Sequence, residues 1–258
     1  QTDHHEVIIG PRDFIDLSEK VIWHLDQPIA DAVLTAYFRL AQFAACEVKM
    51  VLTGEGGDEL FAGYARYAGE QFAPLFQRIP RHLKSLLLTT STFLPGFRAP
   101  KQALHALSQK DEVSRFTNWH PLFNSARMGD LVSDNLKDEL NGSWLRNRAI
   151  EQCLDRTDAI ESLHRFLYVD TKLWLPDDLL TRGDKLTMAA SLEARVPLLD
   201  SKLVEFVASL DPNLKIKKLK RKYLMKKVSQ KWLPNKIVNQ NKKGFPMPVS
   251  MWMRNEAR

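Results

Sequence analysis

At 258 residues the chain is long enough for one large domain or two small ones, with a sizeable core. Its 44% hydrophobic and 26% charged residues exclude global disorder. A net charge of +6 and a pI of about 9.2 favour anionic partners such as nucleotides, but do not by themselves argue for nucleic acid.

Along the chain, "HHEVIIG" (His4 to Gly10) is short, β-branched and closed by Gly10-Pro11, which predicts a strand. Pro11 to about His24 carries Phe14, Leu17, Val21 and Ile22 at helical spacing, with Pro11 suited to the first turn. "ADAVLTAYFRLAQFAAC" predicts a second helix, and "EVKMVL" a buried strand. Strand, helix, helix, strand predicts an α/β fold with a parallel sheet covered by helices over residues 1–70. From 71 to 258 strand signals nearly vanish and a mainly helical part is expected, broken by "FLPGFRAP" and "WHPLFN". Residues 72–150 carry no motif and no repeat. Cys46 and Cys153 stand far apart in no metal-ligand spacing, which points to a reducing, cytoplasmic compartment. No apolar stretch approaches the ~20 residues of a membrane span, so no membrane partner is expected.

The predicted strand at "EVKMVL" runs into "TGEGGDELFAGY", where Gly54, Gly56 and Gly57 stand among Glu55, Asp58 and Glu59. Ligands of parallel sheets bind beyond the carboxyl ends of strands, which is where Thr53 to Asp58 is expected. Glycine lets backbone approach a ligand or take positive φ. Glu55 and Asp58 offer hard oxygens of the kind Mg2+ accepts while it also holds phosphates. The plain alternative is a Gly-rich turn with Asp58 or Glu59 capping the helix that follows. No Gly-Lys-Ser/Thr closes the loop, so it is not a Walker loop.

"LPDDLLTRGDKLTMAASLEARVPLLD" joins Asp184-Lys185 to a helix whose Met188, Ala189 and Leu192 are expected to face the core. Arg195 is expected to pair with Glu193 or Asp200 and pin a turn, while Lys185 and Glu193 remain open to a ligand. Between Lys215 and Lys227 stand eight basic side chains and no acid, with Tyr223, Leu224 and Val228 giving the run an apolar side. Such a run is a solvated helix face, a phosphate or pyrophosphate site, or a nucleic-acid surface. The last lacks aromatic interleaving or a recognised module, so no nucleic-acid partner is expected.

"VLTGEGGDELFAGYARY", "DDLLTRGDKLTMAASLEARVPLLD", "KRKYLMKKV" and "NKKGFPMPVSMWMR", in that order, resemble the synthetase domain of glutamine-dependent asparagine synthetases. "HHEVII" and "HLDQPIAD" are also similar to that family. The resemblance implies an ATP-pyrophosphatase type of α/β domain with a helical C-terminal part. It implies activation of the aspartate side-chain carboxylate by Mg2+-ATP to β-aspartyl-AMP, then attack by ammonia from glutamine, hydrolysed in an upstream glutaminase domain. Residue by residue, Thr53 and Gly54 match backbone neighbours of ATP, with Lys185 placed among the ATP-binding residues. Glu55 and Asp58 match acids at the reacting centre and at Mg2+. Tyr64 matches a tyrosine tied to the acyl-adenylate, and Lys222 a lysine that stabilises developing charge. Glu193 is a further catalytic candidate, because related β-lactam-forming enzymes use a Tyr–Glu pair as base.

The family's Ser-Gly-Gly-x-Asp-Ser loop and its N-terminal Cys are not in the sequence. Both are expected upstream of Gln1, so the chain is expected to be a fragment and inactive alone. "DAVLTAY" replaces a Pro-rich, Ser/Thr-containing stretch, which leaves the acceptor open between aspartate and another carboxylate. A non-catalytic interaction module is the remaining alternative, and a homodimer stands among the expectations for assembly.

Overall fold

The computed structural model describes residues 3–27, 29, 31–92, 98–119, 132–139, 145–240, 244 and 247–255. The breaks at 93–97 and 120–131, and residues 241–243, 245 and 246 of the last motif, lie outside the described residues. The architecture is α/β, mostly helical, with a small parallel sheet. Two compact units share the chain: Gln1–Gly57, Leu173–Phe206 and Val228–Arg258 form the first, Asp58–Lys172 and Val207–Lys227 the second.

The first unit starts with the helix Pro11–Leu25, where Pro11 needs no amide partner in the first turn and the Asp13 carboxylate accepts from the Gly10 N–H at 2.9 Å. Its Val21 and Leu25 meet Leu34 and Phe38 of the helix Val33–Ala45 and Leu186 of the helix Thr181–Met188, all at most 4% exposed. Each of these larger side chains contributes about 1.5–3 kcal/mol by leaving water. Ile22 points outward, and so does Met188, which was expected in the core. Both sit a step round the helix from the buried stripe. Ala189 and Leu192 do pack inward.

Strand β1 (Met50–Leu52) pairs in parallel with β2 (Glu193–Arg195), Val51 opposite Ala194. Two flanking bonds lengthen the ladder: Glu193 N–H to the Lys49 carbonyl at 3.0 Å and Thr53 N–H to the Arg195 carbonyl at 2.8 Å. The strand expected to be buried is not. Met50 is 41% and Leu52 68% exposed, because one neighbouring strand covers neither face of a three-residue segment. The strand expected over His4 to Gly10 is absent too. Extended backbone becomes a strand only with a hydrogen-bonding neighbour, and none pairs with it among the described residues. The partner of β1 comes instead from a segment that carried no strand signal.

From Asp170 to Leu180 the helix widens to the π form, with Pro176 inside it. Proline has no N–H to give the usual bond, and Thr181 Oγ1 donates to the Pro176 carbonyl at 2.7 Å.

The second unit packs the helices Ala65–Glu70, Ala73–Gln77, Arg98–Ser108, Glu112–Trp119, Leu145–Leu154 and Ser162–Val169. Ala73, Phe76 and Leu107 form one core patch with Trp119 against it, and the rings of Phe116 and Phe166 lie 4.7 Å apart. Trp119 lies so close to Gly69 that a Cβ there would come within 2.4 Å of the indole. The Glu70 carboxylate, 4% exposed, accepts from Arg115 Nε at 2.6 Å and Trp119 Nε1 at 2.8 Å, which offsets its desolvation.

The basic run is not one solvated helix face. Its helix spans only Tyr223–Ser229. Before it, Lys217 and Lys220 exchange backbone bonds of 3.1 and 2.9 Å across a tight turn with Lys218 and Leu219 both at positive φ. Two left-handed central residues are what a type I′ turn needs, and lysine and leucine occupy them without the freedom of glycine. The Tyr223 ring lies under the ammonium groups of Lys217 and Lys227 at 5.1 and 6.0 Å.

Lys215 opens the run at 2% exposure, and burial pushes its ammonium down to about 8 from 10.5. Between those values the unfolded chain binds more protons than the folded one, so stability rises with pH across the window, and the full cost is present below it. Lys215→Met is expected to raise the melting temperature at pH 7 by about 2–4 °C. The gain should shrink as pH climbs from 8 to 10.5; thermal unfolding at a series of pH values checks this, and a constant gain contradicts it.

Candidate functional site

The loop after β1 carries the first group of expected site residues. The Thr53 N–H is spent on β2, while its hydroxyl oxygen is buried without a hydrogen-bond partner among the described residues. A buried unpaired hydroxyl is costly, and a ligand atom beside it removes that cost. Gly54 has nothing within 4 Å of the place a Cβ would take, so backbone there has room beside it. Gly56 is glycine for an internal reason: its φ is +83°, and a Cβ would meet Leu199 Cδ2 at 2.2 Å. The two glycines thus do different work.

Glu55, on the same loop, lies close enough to Tyr37 to help raise that phenol, whose shift comes first from burial. Around Tyr37, the Arg182 guanidinium pairs with Asp31 and stands 3.8 Å from Asp178. Asp178 is held above the usual carboxylate range by burial, with Arg182 opposing. Lys185 is paired with Asp26, whose carboxyl it holds below the usual range through a direct hydrogen bond. Glu193 meets Arg195 at 2.8 Å on β2, with both side chains more than half exposed. That is one of the two pairings expected for Arg195. Asp200 does something else, accepting from the N–H groups of Lys202 and Leu203 at 3.0 and 3.2 Å at the start of the helix Ser201–Ser209.

In the second unit Asp58 and Lys222 meet, although 164 positions separate them in sequence (222 minus 58). Lys222 Nζ lies 3.0 Å from Asp58 Oδ1. Three features bring them together. Gly63 lies between them, and a Cβ on it would sit 1.7 Å from Asp58 Oδ1 and 2.3 Å from Lys222 Cε. Arg221 Nη1 donates to the Gly63 carbonyl at 2.8 Å. Lys222 itself is left-handed, at φ 52°, directly before its helix.

Tyr64, next to Gly63, donates its hydroxyl to Glu59 Oε1 at 2.5 Å. Glu59 is 1% exposed, and burial raises its carboxyl while the tyrosine bond opposes that. Burial raises the Tyr64 phenol as well, with Glu59 adding to it, so its proton stays in place as a donor. Arg66 lies over the Tyr64 ring at 4.1 Å from its centroid and donates to Asp170 at 2.6 Å; Tyr67 also donates to Asp170. Asp170 is fully buried.

Sequence reasoning did not single out Glu59 as the partner of Tyr64, nor Asp170, Arg66, Tyr67 or Arg221. The one available signal was the arginine and two tyrosines clustered over Tyr64 to Tyr67; nothing marked Asp170 as their acid. Among the described residues no group of three or more His, Cys, Asp and Glu side chains converges as a protein-only metal site. Mg2+ is instead usually held by one or two carboxylates together with substrate phosphates and water, and the Asp58 side chain is a carboxylate of the kind such a shell uses. No helix among the described residues is long and apolar enough to cross a membrane.

Comparison with known proteins agrees over the whole length. An asparagine synthase family model matches residues 1–258. Asparagine synthetase (glutamine-hydrolyzing) 1 of Bacillus subtilis is 30% identical over 250 residues, covering 96% of this chain and 38% of that protein. A putative asparagine synthetase (glutamine-hydrolyzing) of Mycobacterium tuberculosis is 30% identical over 251 residues, with coverages of 97% and 38%. Amidase chyE of Penicillium rubens is 27% identical over 272 residues, with coverages of 97% and 40%. The chain spans about two fifths or less of the length of these relatives. By the family match and by the ordered set of motifs, the chain belongs to the asparagine synthase family.

Proposed function

We propose that this chain is the ATP-using synthetase part of an enzyme that converts aspartate to asparagine through β-aspartyl-AMP. In this reading the fold is of the ATP-pyrophosphatase type, and ammonia arrives from glutamine hydrolysed in a glutaminase domain of the same protein. The observation that carries it is the Asp58–Lys222 pair at 3.0 Å, an acid and a base from two separate motifs gathered over Gly63. Adenylation needs this equipment. Negative charge grows on the α-phosphate as the carboxylate attacks, and the departing pyrophosphate carries more.

Each residue then has a role. Thr53 and Gly54 give the nucleotide a close backbone neighbour, and the unpaired Thr53 hydroxyl gains a partner. Asp58, with Glu55, holds Mg2+, which when bound neutralises phosphate oxygens. Lys222 stabilises the charge that develops at the adenylate. Tyr64, its one hydroxyl proton committed to Glu59, orients the acyl-adenylate through a neutral phenol oxygen fixed in place as an acceptor, not as a base. Lys185, held by Asp26, contributes positive charge to the ATP-binding loop region. Glu193 is the weaker catalytic candidate, since Arg195 already neutralises it at an exposed strand position.

A second acceptor is favoured by one observation. Asp31, at the stretch where this sequence departs from the family, is tied to Arg182 beside the raised phenol of Tyr37. A carboxylate other than aspartate fits a site altered there, and the similarity to an amidase points the same way.

Aspartate-dependent exchange of pyrophosphate into ATP by the full-length protein tests the main reading; exchange driven only by a different carboxylate selects the second, and no exchange with any acid rejects both. Lys222→Met and Asp58→Asn are each expected to lower the exchange rate by about 10²–10³-fold and to leave glutamine hydrolysis intact. Gly63→Ala is expected to act like them, losing tenfold or more of the rate, because its methyl group would stand where Asp58 and Lys222 meet. Near-normal exchange in Gly63→Ala removes the pair from the mechanism.

A further inference from the structure

If Asp58 is a ligand of the divalent cation, as the proposed function has it, then that oxygen is already occupied by a cation in the metal-free protein. Lys222 Nζ lies 3.0 Å from Asp58 Oδ1, and both side chains are largely shielded, at 25% and 20% exposure. The lysine does not arrive there by chance flexibility. Its backbone is left-handed at φ 52°, Arg221 beside it grips the Gly63 carbonyl at 2.8 Å, and the missing Cβ of Gly63 leaves room that a side chain there would take from both groups. Two further left-handed residues, Lys218 and Leu219, turn the chain just before it. Non-glycine residues hold such conformations where the surroundings impose them, and such positions gather at switch and ligand sites.

We propose that Lys222 is a place-holder cation: it occupies Asp58 until a divalent ion takes that oxygen, and is then released toward the phosphate charge it stabilises. Two cations do not share one carboxylate oxygen at contact distance without strong repulsion, so the exchange is one for one. Asp58 is never left as a shielded, uncompensated charge. The lysine becomes free only when metal has arrived, which couples the catalytic cation to the loaded site. Arg221 is a positioning residue here, acting on Lys222 through the Gly63 carbonyl.

Mn2+ alone, added to the nucleotide-free full-length protein and followed by the electron paramagnetic resonance of the free ion, tests the exchange. Lys222→Met is expected to tighten Mn2+ binding by about three- to tenfold, the scale of a partly shielded ion pair. Arg221→Met is expected to tighten it by a smaller factor, and Asp58→Asn to abolish it. If Asp58→Asn abolishes binding while Lys222→Met does not tighten it, the place-holder role is overturned and the metal-ligand reading stands. If Asp58→Asn binds Mn2+ as wild type does, the metal-ligand reading fails and this proposal with it. A second measurement needs no variant. Amine labelling of the wild-type protein, read by mass spectrometry, should modify Lys222 faster with Mn2+ than without, and an unchanged or slower rate overturns the exchange.

Discussion

The contact that joins the two stretches of the second unit is the ion pair between Asp58 and Lys222, closed over a glycine. That unit is assembled from two stretches, Asp58–Lys172 and Val207–Lys227, and the pair ties the first residue of one to the far end of the other. Coulomb attraction between partly shielded groups supplies the tie, but shape decides whether it forms. Gly63 must lack a side chain, Arg221 must hold the Gly63 carbonyl, and Lys222 must stay left-handed. These requirements lie on two stretches of backbone far apart in sequence, so the pair reports that both are correctly assembled.

Around it the unit manages an unusual amount of buried acid. Glu59, Glu70 and Asp170 are each at most 4% exposed. Tyr64 serves Glu59; Arg115 and Trp119 serve Glu70; Arg66 and Tyr67 serve Asp170. A buried carboxylate without such partners costs several kcal/mol, so these donors are part of the fold before they are part of any site. Asp58 and Asp170 both push the Glu59 carboxyl upward, burial being the larger cause. The Tyr64 hydroxyl answers that push by donating to it. Tyr64 is therefore held from two sides, by Glu59 at its hydroxyl and by Arg66 over its ring.

What the sequence made legible follows from the range of the physics involved. The helices Pro11–Leu25 and Val33–Ala45 announce themselves through apolar spacing, because their burial pattern is local. The Arg195–Glu193 pair was legible by proximity along the chain, whereas the contact of Asp58 with Lys222 was not, since the two motifs that carry them lie far apart in sequence. The strand partner of β1 was not, because Glu193–Arg195 earns its conformation from a ladder with Met50–Leu52, more than a hundred residues away. The reverse error occurred at His4 to Gly10, where β-branched composition suggested a strand that no neighbour completes among the described residues. Asp170 was invisible for the same reason as β2: its partners, Arg66 and Tyr67, lie 104 and 103 positions away. The basic run stayed open between a solvated helix face and an anion site because charge density says nothing about φ, and three of its residues are left-handed.

The glycine loop shows how a motif mixes function with folding. Gly56 is required by the fold itself, since both its φ of +83° and the Leu199 side chain forbid anything larger. Gly54 has open space beside it, so no neighbour among the described residues demands a glycine there. Beside it, the Thr53 amide completes the parallel ladder while its hydroxyl lies buried with no bonding partner among the described residues. At the carboxyl end of β1, then, neither the Gly54 position nor the Thr53 hydroxyl is set by a contact among the described residues, while Asp58, further along the same loop, is already paired with a lysine.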